Sequence, residues 1–304
     1  MNGFLPLYKP KGMTSADAVY KLRKMLHLKR IGHSGTLDPQ VDGMLPVAMG
    51  IATKAIQVLQ DGGKVYSGEV TLGFATTTED LEGEVIERTP LSGPLPLTEI
   101  DAAMQTFIGE ITQIPPMYSA VRVKGRHLYD YARAGETVER PKRTALIKSF
   151  ERTTEPVFNP EDGTLRFSFL AKVGKGTYIR TLAVDLGRKL GYAACMTQLT
   201  RLASGGFTSD QAVSLDEVQN AIDNDELDAL VEPLQYAYPG LPKYQMTDKD
   251  WEDIQHGRFL HLPDQGPRLI LELHGVMKAI YKWNFEYSLY QPEIMYLTNE
   301  GGRR

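Results

Sequence analysis

The run GHSGTLDPQVDG, residues 32–43, places Asp38 directly before Pro39 with glycines on either side. Two readings of this carboxylate are open. Asp-Pro is ordinary turn chemistry, because proline fixes its own φ and pushes the preceding residue out of the helical region. The same stiffness would hold a catalytic carboxylate ready, with no loop to order on binding. Other chemistries find little support. GKGT (174–177) lacks the G-x-x-x-x-G-K-[ST] spacing of a phosphate loop. TEDLEGEVIERT (78–89) begins with Thr78 where a calcium loop needs Asp, and ends on Thr89 where it needs a bidentate Glu. The six histidines form no H-x-x-x-H pair and have no partnering cysteine, and no G-x-S-x-G elbow occurs. Asp38 remains the conspicuous candidate, and neither a metal nor a cofactor is expected.

The elements that must position this residue are partly legible. TSADAVYKLRKML reads as a helix, with Thr14 and Asp17 at capping-box spacing and Val19, Leu22 and Leu26 on one face. TEIDAAMQTFIG repeats the pattern, with Thr98 as the expected cap, Ile100, Met104, Phe107 and Ile108 as the stripe, and Gly109 as the stop. VYSGEVTLGF (65–74) and LRFSFLAKV (165–173) read as strands, the second with strict alternation from Leu165 to Val173. YIRTLAVDLGRKLG follows it as a helix ended by Gly191, and Ser214 and Glu217 form a second capping box. Strands interleaved with helices over the first 235 residues predict an α/β or α+β body. YAYPGLPKY (236–244) predicts a linker between domains. Beyond it a hairpin turning near His274-Gly275 and the strand EIMYL suggest a small β-barrel module.

The 304 residues are 42% hydrophobic and 24% charged, the balance of a soluble globular protein. No apolar run approaches the roughly 20 residues of a membrane span, and the N-terminus lacks a signal-peptide pattern. A single cysteine, Cys195, allows no internal disulfide, so a cytoplasmic location is expected. The net charge of −4 hides strong segregation. Residues 1–54 and 122–148 each carry eight Lys/Arg against three acids, while 210–232 carry eight acids and no basic residue. That distribution suits a polyanion bound on one face, although charge runs are also ordinary solvated surfaces.

Several stretches together resemble one family, the bacterial tRNA pseudouridine synthase B family. They are KPKGMTSADAV (9–19), GHSGTLDPQVDGMLPVAMGIATK (32–54), KVYSGEVTLGFATTTEDLEGEV (64–85), PPMYSAVRVKGRHLYDYARAGETVER (115–140), KGTYIRTLAVDLG (175–187) and MTQLTRLASGGF (196–207). The resemblance implies an α+β (mixed α/β) catalytic domain over 1–235, built on a central mixed or antiparallel sheet flanked by helices and loops. It implies a thumb-like RNA-binding insertion at about 122–148 and a PUA-like C-terminal β-barrel over 240–304. The implied activity is cofactor-free isomerisation of uridine-55 in the T-loop of tRNA: base flipping, glycosidic cleavage, uracil rotation and rejoining through C5.

By position, Asp38 matches the family's catalytic carboxylate and Arg180 the arginine paired with it. Tyr66 matches the aromatic that stacks on the target base, and Tyr178 and Leu199 match pocket walls. His33 matches a histidine inserted beside the flipped nucleotide, and Asp80 an acidic position near the RNA bases. Arg122, Lys124, Arg126 and Arg143 of the thumb, with Tyr129 and Tyr131, are expected to grip the T-arm stem-loop. Lys9 and Lys11 are further RNA-contact candidates. The thumb's charges have no evident internal partners in the sequence, which predicts mobility without RNA. Ser34 stands where the motif commonly has threonine. A monomer with no obligate protein partner is expected. The competing reading is a non-catalytic tRNA-binding or folding factor in which Asp38 is only a turn residue.

Overall fold

The computed structural model describes residues 1–296. The end of the module expected over 240–304, including Leu297 of its EIMYL strand, lies outside the described residues. The chain begins with β1 (Gly3–Lys9), α1 (Ser15–Met25), β2 (Ile31–His33), β3 (Asp42–Met49), α2 (Ile56–Asp61) and β4 (Lys64–Leu72). A ribbon of β5 (Phe74–Thr76) and β6 (Val85–Arg88) leads to α3 (Leu97–Gln105) and β7 (Gly109–Gln113). The thumb follows, with β8 (Arg122–Val123), β9 (Arg126–His127) and α4 (Leu128–Arg133). Then come β10 (Arg143–Arg152), β11 (Val157–Asn159), β12 (Thr164–Val173), α5 (Ile179–Leu190), β13 (Ala194–Ser204), β14 (Phe207–Thr208) and α6 (Leu215–Asp223).

The main strands form one mixed sheet in the order β1-β3-β13-β4-β12-β10-β7. Along this path every pairing is antiparallel except β3–β13, a parallel contact of only two residue pairs, Thr200↔Asp42 and Arg201↔Gly43. A Cβ on Gly43 would lie 2.2 Å from the Arg201 carbonyl oxygen, so this junction requires glycine. Alternation along β12 sends Leu165, Phe167, Phe169, Ala171 and Val173 to one buried face, as the period-2 pattern predicts. Helices α1, α3 and α5 close over that face with Leu22, Ile100, Met104, Leu182 and Leu186. Strands β1 and β3 are buried on both faces, which accounts for their unbroken apolar runs. Their second face carries Phe4, Met44 and Ala48 into a core shared with the C-terminal module.

That module contains β15 (Lys243–Gln245), α7 (Asp248–Ile254), β16 (Arg268–Leu273), β17 (Val276–Asn284) and β18 (Leu289–Met295). The expected hairpin turn is present, with His274 at φ 50° and Gly275 at φ 75°, both left-handed as a type I′ turn demands. Among the described residues the four strands form a sheet in the order β15-β16-β17-β18, and no closed barrel is seen. The predicted linker is also tighter than its composition suggests. Ala237 and Tyr238 are buried in the shared core with Ile270, Met277 and Ile280, and β15 starts at Lys243. Apolar residues on both sides of the proline and glycine anchor the connection. Among the described residues no helix is long and apolar enough to cross a membrane.

The capping boxes of α1 and α6 form as expected, and Gly191 ends α5 in the left-handed conformation at φ 85°. Helix α3 differs. Pro96, at φ −58°, is its N-cap residue and makes no side-chain cap bond, and Thr98 lies inside the first turn, because the fixed φ of proline sets the entry geometry two residues earlier. Gly109 does not stop α3, which ends at Gln105, but opens β7 at φ 105°. The acidic 210–232 segment runs along the free edge of β1, bridging Leu7↔Val213 and Phe4↔Glu232. The thumb leaves the opposite edge, at β7. The acidic segment and the basic 122–148 segment therefore lie at opposite edges of the sheet, whereas the basic 1–54 segment shares the β1 edge with the acidic one.

Candidate active site

Asp38 occupies the first position of a turn closed by the Val41 amide donating to the Asp38 carbonyl at 3.1 Å, with Pro39 second. The turn reading of the sequence is thus correct, and it does not exclude the other. The loop between β2 and β3 is held from both sides. On one side, Ser15 of α1 accepts the Leu37 amide at 2.8 Å, and the Gly12 amide donates to the Pro39 carbonyl at 2.9 Å. On the other, fully buried Arg201 donates to the carbonyls of Gly35 (3.1 Å), Thr36 (3.4 Å) and Met44 (2.7 Å). These bonds fix the backbone before any ligand arrives.

Arg180 stands in the first turn of α5, where a cation opposes the helix dipole. Two carboxylates offset that placement. Its Nη2 lies 3.0 Å from Asp38 Oδ2, and its Nε lies 3.7 Å from Asp80 Oδ2. It also donates to the carbonyls of Thr78 (3.0 Å) and Tyr118 (2.9 Å), so the guanidinium is oriented by backbone as well as by charge. The Arg180 side chain is 7% exposed, whereas that of Asp38 keeps 38% through the mouth of the site. Burial pushes the Asp38 carboxyl above its ordinary range, Arg180 pulls it down, and the neighbouring Asp80 charge pushes it up again.

A cleft of about 680 Å³ opens in front of this pair, lined by Asp38, Tyr66, Tyr178, Arg180, Leu199 and Arg143. The fold thus gathers six of the residues singled out in the sequence, from the β2–β3 loop, β4, α5, β13 and β10. Tyr178 is fixed through its backbone, donating to Gln113 Oε1 at 3.0 Å and accepting from Gln113 Nε2 at 3.1 Å. Asp80 lines a neighbouring depression of about 370 Å³ that shares Asp38 and Leu199 with the cleft. His33 is half-buried at the loop's other end, its Nδ1 accepting from the Gly35 amide at 3.3 Å, and burial and the Arg201 charge lower its pKa.

Three expectations require correction. Lys9 is not at the surface. It is fully buried and donates to the carbonyls of Pro10, Met13 and Pro39, so it props the Asp38 turn from beneath, while Lys11 is exposed. The last part of the 122–148 thumb, from Arg143 onward, belongs to β10 of the main sheet, whose pairing with β7 starts at Arg143↔Gln113. The thumb's cations do have internal partners: Arg126 forms a forked ion pair with Glu136 (2.9 and 3.4 Å) and lies over the Tyr131 ring, and Arg133 lies over Tyr129. Arg122 donates to His127 at 3.2 Å. Arg122, Lys124 and Arg126 do not line the cleft.

Sequence reading missed Arg201, Ser15, Gln113, Lys64 and Glu79. Glu79, held at φ 67°, accepts the Thr181 hydroxyl at 2.7 Å and so ties the ribbon before β6 to the first turn of α5. Arg201 carried one usable signal, the two-residue spacing from Leu199 on a strand, which puts both on one face. Ser15 and Gln113 carried none, because their partners are backbone groups 22 and 65 residues away.

Two family models cover most of the chain. One described as TruB family pseudouridylate synthase (N terminal domain) matches residues 23–179, and one described as tRNA pseudouridylate synthase B C-terminal domain matches 180–238. Among curated proteins, tRNA pseudouridine synthase B of Lacticaseibacillus paracasei is 57% identical, over 99% of this chain and 99% of that protein. The Streptococcus pyogenes protein of the same name is 51% identical, over 94% and 97%. Among solved structures, a crystal structure of a Cbf5-Nop10-Gar1 complex matches with TM-score 0.69 and 25% identity, covering 97% of this chain and 85% of that one. An H/ACA RNP bound to a substrate RNA containing 2′-deoxyuridine shares the fold at TM-score 0.70 and 24% identity, covering 98% and 86%.

Proposed function

Because this chain belongs to the TruB family of pseudouridylate synthases, we propose that it isomerises uridine-55 in the T-loop of tRNA, with Asp38 as the catalytic carboxylate. The observation that carries this reading is the Asp38–Arg180 contact at 3.0 Å, at the mouth of a cleft with two tyrosines in its wall. The flipped uridine enters that cleft and stacks on Tyr66, which replaces the stacking lost from the loop. Tyr178 and Leu199 close the remaining sides. The N1–C1′ bond breaks, the uracil turns within the pocket, and a C5–C1′ bond forms. The C5 hydrogen leaves as a proton and N1 gains one, so the reaction has no net redox change.

No water is activated and no group leaves the enzyme, so one carboxylate suffices. Attack on the base, attack on the sugar and removal of a sugar proton all need that carboxylate ionised and aimed at the glycosidic bond. Arg180 supplies both conditions. The thumb cations and Arg143 bind the T-arm backbone, and His33 fills the space left by the flipped nucleotide. The C-terminal sheet acts as a PUA-like RNA-binding module, a role that suits its Lys282 and the exposed Phe285 and Tyr287 at the β17–β18 turn.

The test is tritium release from unmodified tRNA labelled at uridine C5, beside Asp38→Asn. Release by the wild type and none by the variant, at similar tRNA affinity, is the expected result. If both bind tRNA and neither releases tritium, the chain is a binding or folding factor and Asp38 is only a turn residue.

A further inference from the structure

Lys64 precedes Tyr66 by two residues on β4, so the two side chains share a face, and both line the cleft. The lysine stem is packed in place. A Cβ on Gly35 would come within 3.3 Å of Lys64 Cε and 3.5 Å of Arg201 Nη1. The half-buried ammonium has the Gln60 carbonyl at 3.5 Å, long for a hydrogen bond, and no carboxylate within 4 Å among the described residues. Asp61, the acid whose charge reaches it, is committed to Lys175 at 2.7 Å. Burial and the Arg201 charge lower the Lys64 pKa to about 8. A partly buried cation without a counter-charge is costly, and an anionic ligand removes that cost. Lys175, whose charge also acts on Lys64, and Arg143 line the same cleft.

We propose that Lys64, flanked by Lys175 and Arg143, forms a subsite for the phosphodiester adjoining the nucleotide whose base stacks on Tyr66. The subsite rests on the proposed function, since it takes the backbone of the flipped uridine as its ligand. A base on Tyr66 leaves its sugar over Asp38 and its backbone toward the start of β4, where Lys64 stands. The anion neutralises Lys64 only when the nucleotide is fully inserted, which couples binding energy to the flipped state.

The test compares wild type, Lys64→Met and Lys64→Arg on unmodified tRNA, with affinity measured by filter binding across a salt series and isomerisation by tritium release. Thermal melting of each variant verifies folding. Lys64→Met is expected to weaken affinity about tenfold and to make the log–log salt dependence shallower by roughly 0.7, the value of one single-strand phosphate contact. Lys64→Arg is expected to recover most of that loss. An unchanged affinity and salt slope in folded Lys64→Met, with an active wild type, overturns the subsite alone. A large rate loss in Lys64→Arg at intact affinity also overturns it and makes Lys64 a proton-transfer group. Absence of tritium release from the wild type instead removes the underlying function.

Discussion

The Asp38 turn and the thumb are both short charged segments outside the path of the main sheet, and they are built on opposite terms. The turn is gripped from the interior. Arg201, Ser15 and Lys9 reach it from three different elements and bind its backbone. The thumb's charges pair within the thumb, as in Arg126–Glu136, where both side chains are about half exposed. A catalytic carboxylate must hold one direction to within a fraction of an ångström, and only buried contacts can enforce that. On the proposed function the thumb grips phosphate, a task that needs potential rather than direction and that exposed, self-paired cations suit.

That contrast is most directly broken at Arg180. Arg180→Met is expected to lower the single-turnover rate by about 10²–10³-fold with little change in tRNA affinity, since one charge-assisted contact to the carboxylate proposed to react is lost. A loss confined to affinity would place Arg180 with the thumb. Next in size is Arg201→Met, which leaves the Gly35, Thr36 and Met44 carbonyls without their buried donor. The expected result is a rate loss of about tenfold together with a melting temperature lowered by several degrees, from roughly 1–3 kcal/mol per orphaned group at most. A variant with normal rate would mean that the loop holds its shape from the α1 side alone.

The electrostatics of the turn sharpen the comparison further. The rate is expected to fall as pH drops through the Asp38 pKa, which lies above its ordinary 3.8. Asp80→Asn removes a like charge and should move this acid limb to lower pH, as read from a pH–rate profile. Because folding raises this pKa, the folded state binds the Asp38 proton more tightly than the unfolded chain does. Stability then falls as pH rises from 3.8 through the folded value, and the ionised group adds none at pH 7. Asp38→Asn should therefore melt no lower than the wild type at pH 7. The smallest effect is expected at the thumb. Arg122→Ala with Lys124→Ala should raise KM about three- to tenfold and flatten its salt dependence, with kcat within about twofold. A matching loss of kcat would show that the thumb positions the reacting group as well.

What the sequence determined by itself was whatever depends on neighbours a few residues apart. The caps Thr14–Asp17 and Ser214–Glu217, the alternation of β12, the stop at Gly191 and the His274-Gly275 turn all formed where local chemistry predicted them. The motif residues Asp38, Tyr66, Tyr178, Arg180 and Leu199 were named from the sequence, and they line one cleft. Thr98 failed as a cap because Pro96 imposed the helix entry. Tertiary structure alone decided partners and depth. Lys9 and Lys11 are two residues apart with the same side chain, yet one is fully buried beneath the Asp38 turn and the other faces solvent. Lys9 ends a strand whose pairing with β3 brings the Pro39 carbonyl over it, and Lys11 lies past that pairing. Arg201 likewise gained its role from a parallel contact of two residue pairs, a meeting of segments about 160 residues apart that no local pattern encodes.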